Sequence, residues 1–217
     1  MEGVIKLSHI TSYLTCPRLA YYRLKFGEDS FTEKHAVKEI YRCLRMSLGI
    51  DWAKEKAKTL NKFFCEETFN RALANFKLAK ELDKFKPIDW DVVYNSEKLG
   101  VSLTVDEIVE FCNETLPLFV ALNAPKSGVW FQDAVKAGVV AVVAKFEKSI
   151  IYYSYSGEIR VVETDFGMKR KSLKLIERLR MIEKGFLPER RESEYCRFCR
   201  FFEDCKRTPE TFASKFL

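Results

Sequence analysis

Three cysteines near the end of the chain, Cys196, Cys199 and Cys205, are the residues whose type and spacing most directly imply chemistry. They stand as C-x2-C-x5-C in Tyr195-Cys-Arg-Phe-Cys-Arg-Phe-Phe-Glu-Asp-Cys205. One short turn of chain brings three thiols within reach of a single centre, and an odd number cannot pair off as disulfides. Thiolate sulfur suits zinc or an iron–sulfur cluster, and either needs a fourth ligand from elsewhere in the chain.

The elements that must position such a centre follow from hydrophobic periodicity. Ser8 to Lys25 reads as a helix that Pro17 interrupts at Cys16 and Gly27 stops. From Ser30 to Phe85 the pattern is helical, broken near Gly49 and Asn61. Asp89 to Asn95 and Val101 to Phe111 then alternate as strands, and the apolar run Leu116 to Leu122 reads as a central strand. Val129 to Glu147 is predicted as a helix, Ser149 to Tyr155 and Glu158 to Thr164 as a hairpin, and Met168 to Lys184 as a basic amphipathic helix. This order predicts an α/β fold with a mixed central sheet. It also predicts one domain over 1–217: a helical region at 1–88, a core at 89–184, and a cysteine tail at 185–217 packed against Cys16.

With 217 residues, 47% hydrophobic and 14% aromatic, the chain is long enough for a full core. No run of apolar residues is long enough for a membrane span, and Met1-Glu-Gly-Val-Ile-Lys does not read as a signal peptide. Seven cysteines without an export signal predict a reducing, cytoplasmic setting. Cys43, Cys65 and Cys112 read as ordinary buried thiols. The net charge of +6 is compatible with nucleic acid without establishing it. A single glutamine, Gln132, beside 37 Lys+Arg and 31 Asp+Glu leans towards a thermophile.

Cys16 lies in Ser12-Tyr-Leu-Thr-Cys-Pro-Arg-Leu-Ala-Tyr-Tyr. Cys-Pro-Arg followed by aromatics near one end, with C-x2-C-x5-C at the other, resembles the CRISPR-associated RecB-like exonuclease family. The strand pair around Val101-Ser-Leu-Thr-Val-Asp106 and the late strands from Ser149 are similar to that family's as well. The resemblance covers nearly the whole chain. It implies a PD-(D/E)xK (restriction-endonuclease-like) core and a 4Fe–4S cluster held by Cys16, Cys196, Cys199 and Cys205, with zinc as the alternative metal. Such a cluster ties residue 16 to residue 205, so that metal binding becomes folding free energy.

The same resemblance implies an active site in which an Asp and a Glu hold Mg2+ or Mn2+ and a Lys two residues beyond the Glu steadies the charged transition state. Asp106 matches the first acid; without the resemblance it reads as a solvent-facing strand residue beside Glu107. Ala121 stands where the Glu belongs and Asn123 where the Lys belongs. The family's metal-binding His is replaced by Trp52 or Ala53, with His35 too early and reading as an exposed helix residue. The Q-x3-Y motif falls on Gln132 and Lys136, or on Lys136 and Val140, and lacks its Tyr in both registers. The resemblance therefore implies a degenerate nuclease. Rescue by migrated groups would fall to Asp133 and Lys136, one helical turn apart, or to Glu110.

Arg197, Arg200, Lys206 and Arg207 interleave with the cysteines, and Lys169, Arg170, Lys171, Lys174, Arg178 and Arg180 stud the preceding helix. Tyr195, Phe198, Phe201 and Phe202 supply rings, read mainly as a hydrophobic shell for the metal. Basic groups with aromatics suit single-stranded DNA or unpaired ends, with Lys136 and the four tail cations as DNA-binding candidates. Seven acids among them permit a plainly solvated face instead. Three readings follow: a non-catalytic DNA-binding or accessory subunit in CRISPR adaptation or related DNA processing, a metal-dependent exonuclease with rearranged residues, and a structural iron–sulfur protein that binds a protein partner.

Overall fold

A computed structural model describes residues 3–27 and 30–208; Met1, Glu2 and the last part of the expected tail, 209–217, lie outside them. A short strand β1 (Ile5–Lys6) leads into α1 (Leu7–Thr15) and α2 (Pro17–Phe26). The break between these helices is Cys16, whose backbone is extended (φ −159°, ψ 124°). Pro17 forces it, because proline at the first helical position has no N–H to spare and its ring bars the preceding residue from the helical region. Then come α3 (Glu33–Arg45), α4 (Ile50–Leu60) and α5 (Glu66–Asn75). The β-rich part follows: β2 (Lys86–Ser96), β3 (Val101–Phe111), β4 (Glu114–Ala121), α6 (Phe131–Val143), β5 (Lys148–Tyr153), β6 (Glu158–Glu163) and α7 (Phe166–Glu183). A 3-10 turn (Glu194–Phe198) and the short α8 (Phe202–Arg207) end the described chain.

The six strands form one mixed sheet in the order β1-β3-β4-β5-β6, with β2 also paired to β3. β4 and β5 are parallel and joined through α6, whereas β2–β3, β3–β4 and β5–β6 are antiparallel. Both faces are covered. On one, Phe119, Ala121, Ile151 and Tyr153 pack against α1, α6 and α7. On the other, Leu118, Val120, Ile150 and Tyr152 pack against α3, α4 and α5. Two-sided burial explains why the β4 segment reads as an unbroken apolar run.

β3 has three partners and only two edges. β2 occupies one edge along its length, from Lys86 opposite Glu110 to Ser96 opposite Val101. The other edge is shared: β1 pairs in parallel at Val101 and Ser102, and β4 pairs only from Glu107 onward. Between those pairings β4 leaves β3 and the sheet forks.

Two sequence expectations are corrected. Cys65 and Cys112 are exposed, and only Cys43 is buried. Cys65 precedes α5 as its N-cap, and Cys112 sits with Asn113 in the β3–β4 hairpin turn at φ 51° and 62°, where two consecutive positive φ values make the tight turn and leave its side chains in solvent.

α6 and α7 approach most closely at Gly138. A Cβ there would lie 2.4 Å from Ser172 Oγ, 2.9 Å from Met168 Cγ and 3.2 Å from the Met168 carbonyl oxygen. Gly138→Ala gains about 1 kcal/mol in helix propensity but overpacks a contact whose typical cost is about 1–3 kcal/mol. The backbone carbonyl cannot swing aside. We expect a net loss of about 1 kcal/mol, read as a lower urea midpoint with unchanged m-value.

Candidate nucleic-acid cleft and thiol cluster

α3 lays a polar stripe along β3 at helical spacing, Lys34, Lys38, Tyr41 and Arg45, beside its apolar stripe of Ala36, Val37 and Ile40. The stripe meets the two consecutive acids of β3. Lys38 Nζ pairs with Asp106 Oδ1 at 2.5 Å. The Tyr41 hydroxyl donates to Glu107 Oε2, and Arg45 Nη2 donates to Glu107 Oε1 at 3.0 Å. Neither acid is solvent-facing: Asp106 is 7% exposed and Glu107 fully buried. Burial pushes the Glu107 carboxyl up against the downward pull of Tyr41 and Arg45.

Asp106 sits at the fork. Its Oδ2 accepts the Val120 backbone N–H at 2.8 Å, an amide beyond the last β3–β4 backbone pairing. Both carboxylate oxygens are thus engaged, one by a lysine and one by the sheet. Among the described residues no second carboxylate lines the cleft of Asp106, although His35 and Lys136 do. Ala121 is buried in the core at the end of β4, and Asn123 is exposed beyond the strand, its carbonyl accepting from Trp130 Nε1 at 2.7 Å. Glu110 lies toward the other end of β3, 4.0 Å from Lys86. Trp52 is half-exposed under the cations of Arg42 and Lys56, and Ala53 is buried.

Asp133 and Lys136 are not a surface pair. Lys136 is 4% exposed and 2.5 Å from Asp133 Oδ1, whose Oδ2 accepts from the Tyr153 hydroxyl at 3.0 Å. α6 is apolar nearly all round, so a charge on it is buried and must carry its own counter-charge. His35 is likewise not a free surface group. It is half-buried and its Nδ1 accepts the Thr32 N–H at 3.0 Å, closing the start of α3.

The fork opens into a cleft of about 470 Å³. Among the described residues its lining holds five basic side chains, Lys6, Arg23, Lys34, Lys38 and Lys136, and a single carboxylate, Asp106. Lys34 has no carboxylate partner among the described residues. Burial, reinforced by Lys136 and Lys38 and opposed by Asp106 and Asp133, pulls its ammonium down to about 7. Sequence reading passed over Lys34 and Lys38, because charges on a helix read as a solvated face.

The second constellation is the thiols. Cys16, Cys199 and Cys205 pack around Leu19, Tyr22 and Phe201, with Tyr22 and Phe201 stacked at 5.1 Å. Charges on Cys16, Cys196 and Cys205 act on Cys199, whose thiol is pushed up chiefly by burial and then by those three neighbours. All seven thiols are free. Arg18, 1% exposed, reaches the carbonyls of Pro188 (2.8 Å), Thr208 (3.3 Å) and Cys205 (3.4 Å). Its Nη2 is buried without a partner, and the guanidinium opposes the upward push of burial on the Cys205 thiol. Apart from the Cys205 thiol, the partners of this buried guanidinium are neutral carbonyls, which makes it a costly charge; thiolates beside it would supply the missing anion. Four thiols, an apolar shell and one orphaned cation therefore fit a thiolate-ligated metal group. Among the described residues no set of three or more His, Cys, Asp or Glu is arranged to hold a metal ion as the side chains stand.

The tail cations are dispersed. Arg197, Lys206 and Arg207 are exposed, Lys206 lies 4.3 Å over the Phe202 ring, and Arg200 is 5.6 Å from the Phe63 ring. Phe201 is buried, but Phe198 is 85% exposed and so is not part of the thiol shell as its ring suggested. Lys171, Lys174 and Arg178 line a second cleft of about 360 Å³ with Cys16, Phe131 and Arg191. No helix of the described residues is long and apolar enough to cross a membrane.

The mixed six-stranded sheet with its crossover helix is a restriction-endonuclease-like, PD-(D/E)xK type of α/β fold. It resembles the crystal structure of a putative exonuclease from Eubacterium rectale, with a TM-score of 0.58, 13% identity, and coverage of 97% of this chain and 90% of that one. At that identity the likeness is one of fold. No family model matches the chain. The chain belongs to the family of an uncharacterized protein from Archaeoglobus fulgidus, which is 52% identical over 214 residues, covering 99% of this chain and 100% of that protein.

The depressed Lys34 ammonium has a signed consequence for stability. Its folded value of about 7 lies below the ordinary 10.5, so the unfolded chain holds more protons between those limits, and stability carried by this group rises with pH there. Compared with Lys34→Met, the wild type should be the less stable below pH 7 and should close the gap as pH rises towards 10.5. Urea unfolding of both proteins across that range checks the sign; a gap that widens with pH would contradict it.

Proposed function

We propose that this chain is a nuclease-fold protein that binds DNA without cutting it, with an iron–sulfur cluster on Cys16, Cys196, Cys199 and Cys205. The observation that carries the reading is the state of Asp106. Its two oxygens are committed to Lys38 and to the Val120 amide, and no second carboxylate among the described residues lines its cleft. A divalent ion there would have to displace Lys38 and then face the four other lining cations, Lys6, Arg23, Lys34 and Lys136. Hydrolysis of a phosphodiester in this fold needs charge stabilisers that are here replaced together; loss of one such donor alone typically costs about 100–1,000-fold in rate.

The four thiols would hold the cluster, and its chemistry there would be structural, joining the α1–α2 break to the chain's end. A tetrahedral zinc would draw all four sulfurs to about 2.3 Å from one centre, a tighter closure than a multi-iron cluster demands. The exposed cations Arg197, Lys206 and Arg207 suit a sequence-independent phosphate backbone. The resemblance to CRISPR-associated exonucleases and the fold shared with the Eubacterium rectale protein support a role in DNA handling, as an accessory that would hold single-stranded or unpaired ends during CRISPR adaptation or related DNA processing. The active-exonuclease reading draws on one observation, that Lys136 enters the cleft with Asp106, but Asp133 already neutralises it.

Anaerobically purified protein should be brown, hold about four irons per chain, bind single-stranded DNA, and leave it intact in Mn2+ as in EDTA. Cys196→Ser should lose the colour and lower the melting temperature. Mn2+-dependent trimming abolished by Asp106→Asn would sink the non-cleaving reading, and a colourless protein with stoichiometric zinc would replace the cluster assignment.

A further inference from the structure

We propose that the cleft at the β3–β4 fork binds a terminal phosphate group directly, through lysine donors and without a divalent ion; the assignment of that phosphate to a DNA end rests on the DNA-binding reading above.

In a metal-dependent nuclease of this fold the phosphate is approached through cations that carboxylates hold. Here the carboxylates are spent. Asp106 is bonded on both oxygens and Asp133 is bonded by Lys136 and Tyr153. Glu33, in the first turn of α3, is turned to Arg71 and Tyr155 instead of the cleft. Two of the lining cations, Lys38 of α3 and Lys136 of α6, are each paired with an aspartate, and the excess is positive through Lys34 of α3, Arg23 of α2 and Lys6.

The donors are available. An ammonium has three N–H groups. Lys38 and Lys136 each give one to an aspartate, and Lys34 is bonded to no acceptor among the described residues. Ser8, Thr11 and Thr104 add hydroxyls to the wall. The first turn of α3 also presents the positive end of the helix dipole on the side where Thr32 and Lys34 line the cleft. Lys34 and Lys38 are half-buried, and with only Asp106 and Asp133 to balance them the lining cations keep an excess charge that a doubly charged phosphate would offset.

Geometry selects an end over the middle of a strand. The floor residues Asp106 and Lys136 are both more than nine-tenths buried, so an internal phosphodiester would have to drag two flanking sugars inward. The 470 Å³ of the cleft falls in the usual range of about 300–1,000 Å³ for small-ligand sites, enough for an end phosphate and its nucleotide.

The test uses the anaerobically purified full chain in EDTA. Anisotropy is read with a single-stranded oligonucleotide phosphorylated at one end, at the other, or at neither, and inorganic phosphate is titrated calorimetrically. One phosphorylated end should bind about tenfold or more tighter than the bare strand, the scale of a charge-assisted hydrogen bond. Lys34→Gln, which removes a buried charge and so should not harm folding, should abolish that preference and weaken inorganic phosphate equally, while Lys34→Arg keeps part of both. Binding of DNA with no preference for phosphate, or a preference unmoved by Lys34→Gln or seen only with Mg2+, overturns the cleft assignment and leaves the DNA-binding reading standing. Lys34-dependent binding of inorganic phosphate with no binding of any oligonucleotide upholds the cleft and overturns the DNA-binding reading.

Discussion

The constraint on which the rest of this structure depends is the fork in the sheet. β3 lends one edge to two strands, β1 at its start and β4 at its end. Where β4 departs, its amides lose the ladder, and a buried N–H without an acceptor costs about 1–3 kcal/mol. Asp106 answers that need by accepting from Val120. A buried carboxylate then needs a cation of its own, and Lys38 of α3 provides it. The neighbouring Glu107 repeats the arrangement with Tyr41 and Arg45. The pair of acids thus docks the whole helical layer onto the sheet along one stripe of α3. A role in the fold of this kind accounts for Asp106 without any catalytic duty. Ala121 and Asn123 carry no such burden, one filling core and the other facing solvent.

Removing carboxylates from a cleft does not leave it neutral. The lysines of this cleft lie near one another, and the Lys34 ammonium is lowered first by burial and then by Lys136 and Lys38. Among the described residues the lining carries more positive than negative side chains. This makes cation binding and anion binding alternatives at one place, decided by how many acids line it.

Much of this was legible in the residues. Pro17 marks the helix break that sets Cys16 apart, and the change from helical to alternating periodicity after Phe85 announces the sheet. That Cys16 packs near Cys199 and Cys205 accords with the family resemblance carried by Cys-Pro-Arg at one end and C-x2-C-x5-C at the other. The two-residue β1 was missed because two residues show no period. The burial of Lys136 is hard to read from sequence, because an i, i+3 pair with Asp133 looks the same on a surface and in a core; the apolar neighbours Val135, Ala137 and Val139 are the available signal. Lys34 and Lys38 could not be separated from solvated lysines, since what singles them out is β3 on the other side of the cleft, a contact across about 70 residues of chain.

The two constellations are mechanically linked through α1. Ser8 and Thr11 stand in the wall of the basic cleft, whereas Tyr13 to Cys16 border the second cleft beside the thiols. α1 is short, and its far end is pinned by the Cys16 break, with Arg18 one turn on anchored to the carbonyls of Pro188, Cys205 and Thr208. Whatever gathers the four cysteines therefore also fixes where α1 lies against the fork. The thiols and the basic cleft thus share one helix, and a displacement of α1 at either end would be felt at the other.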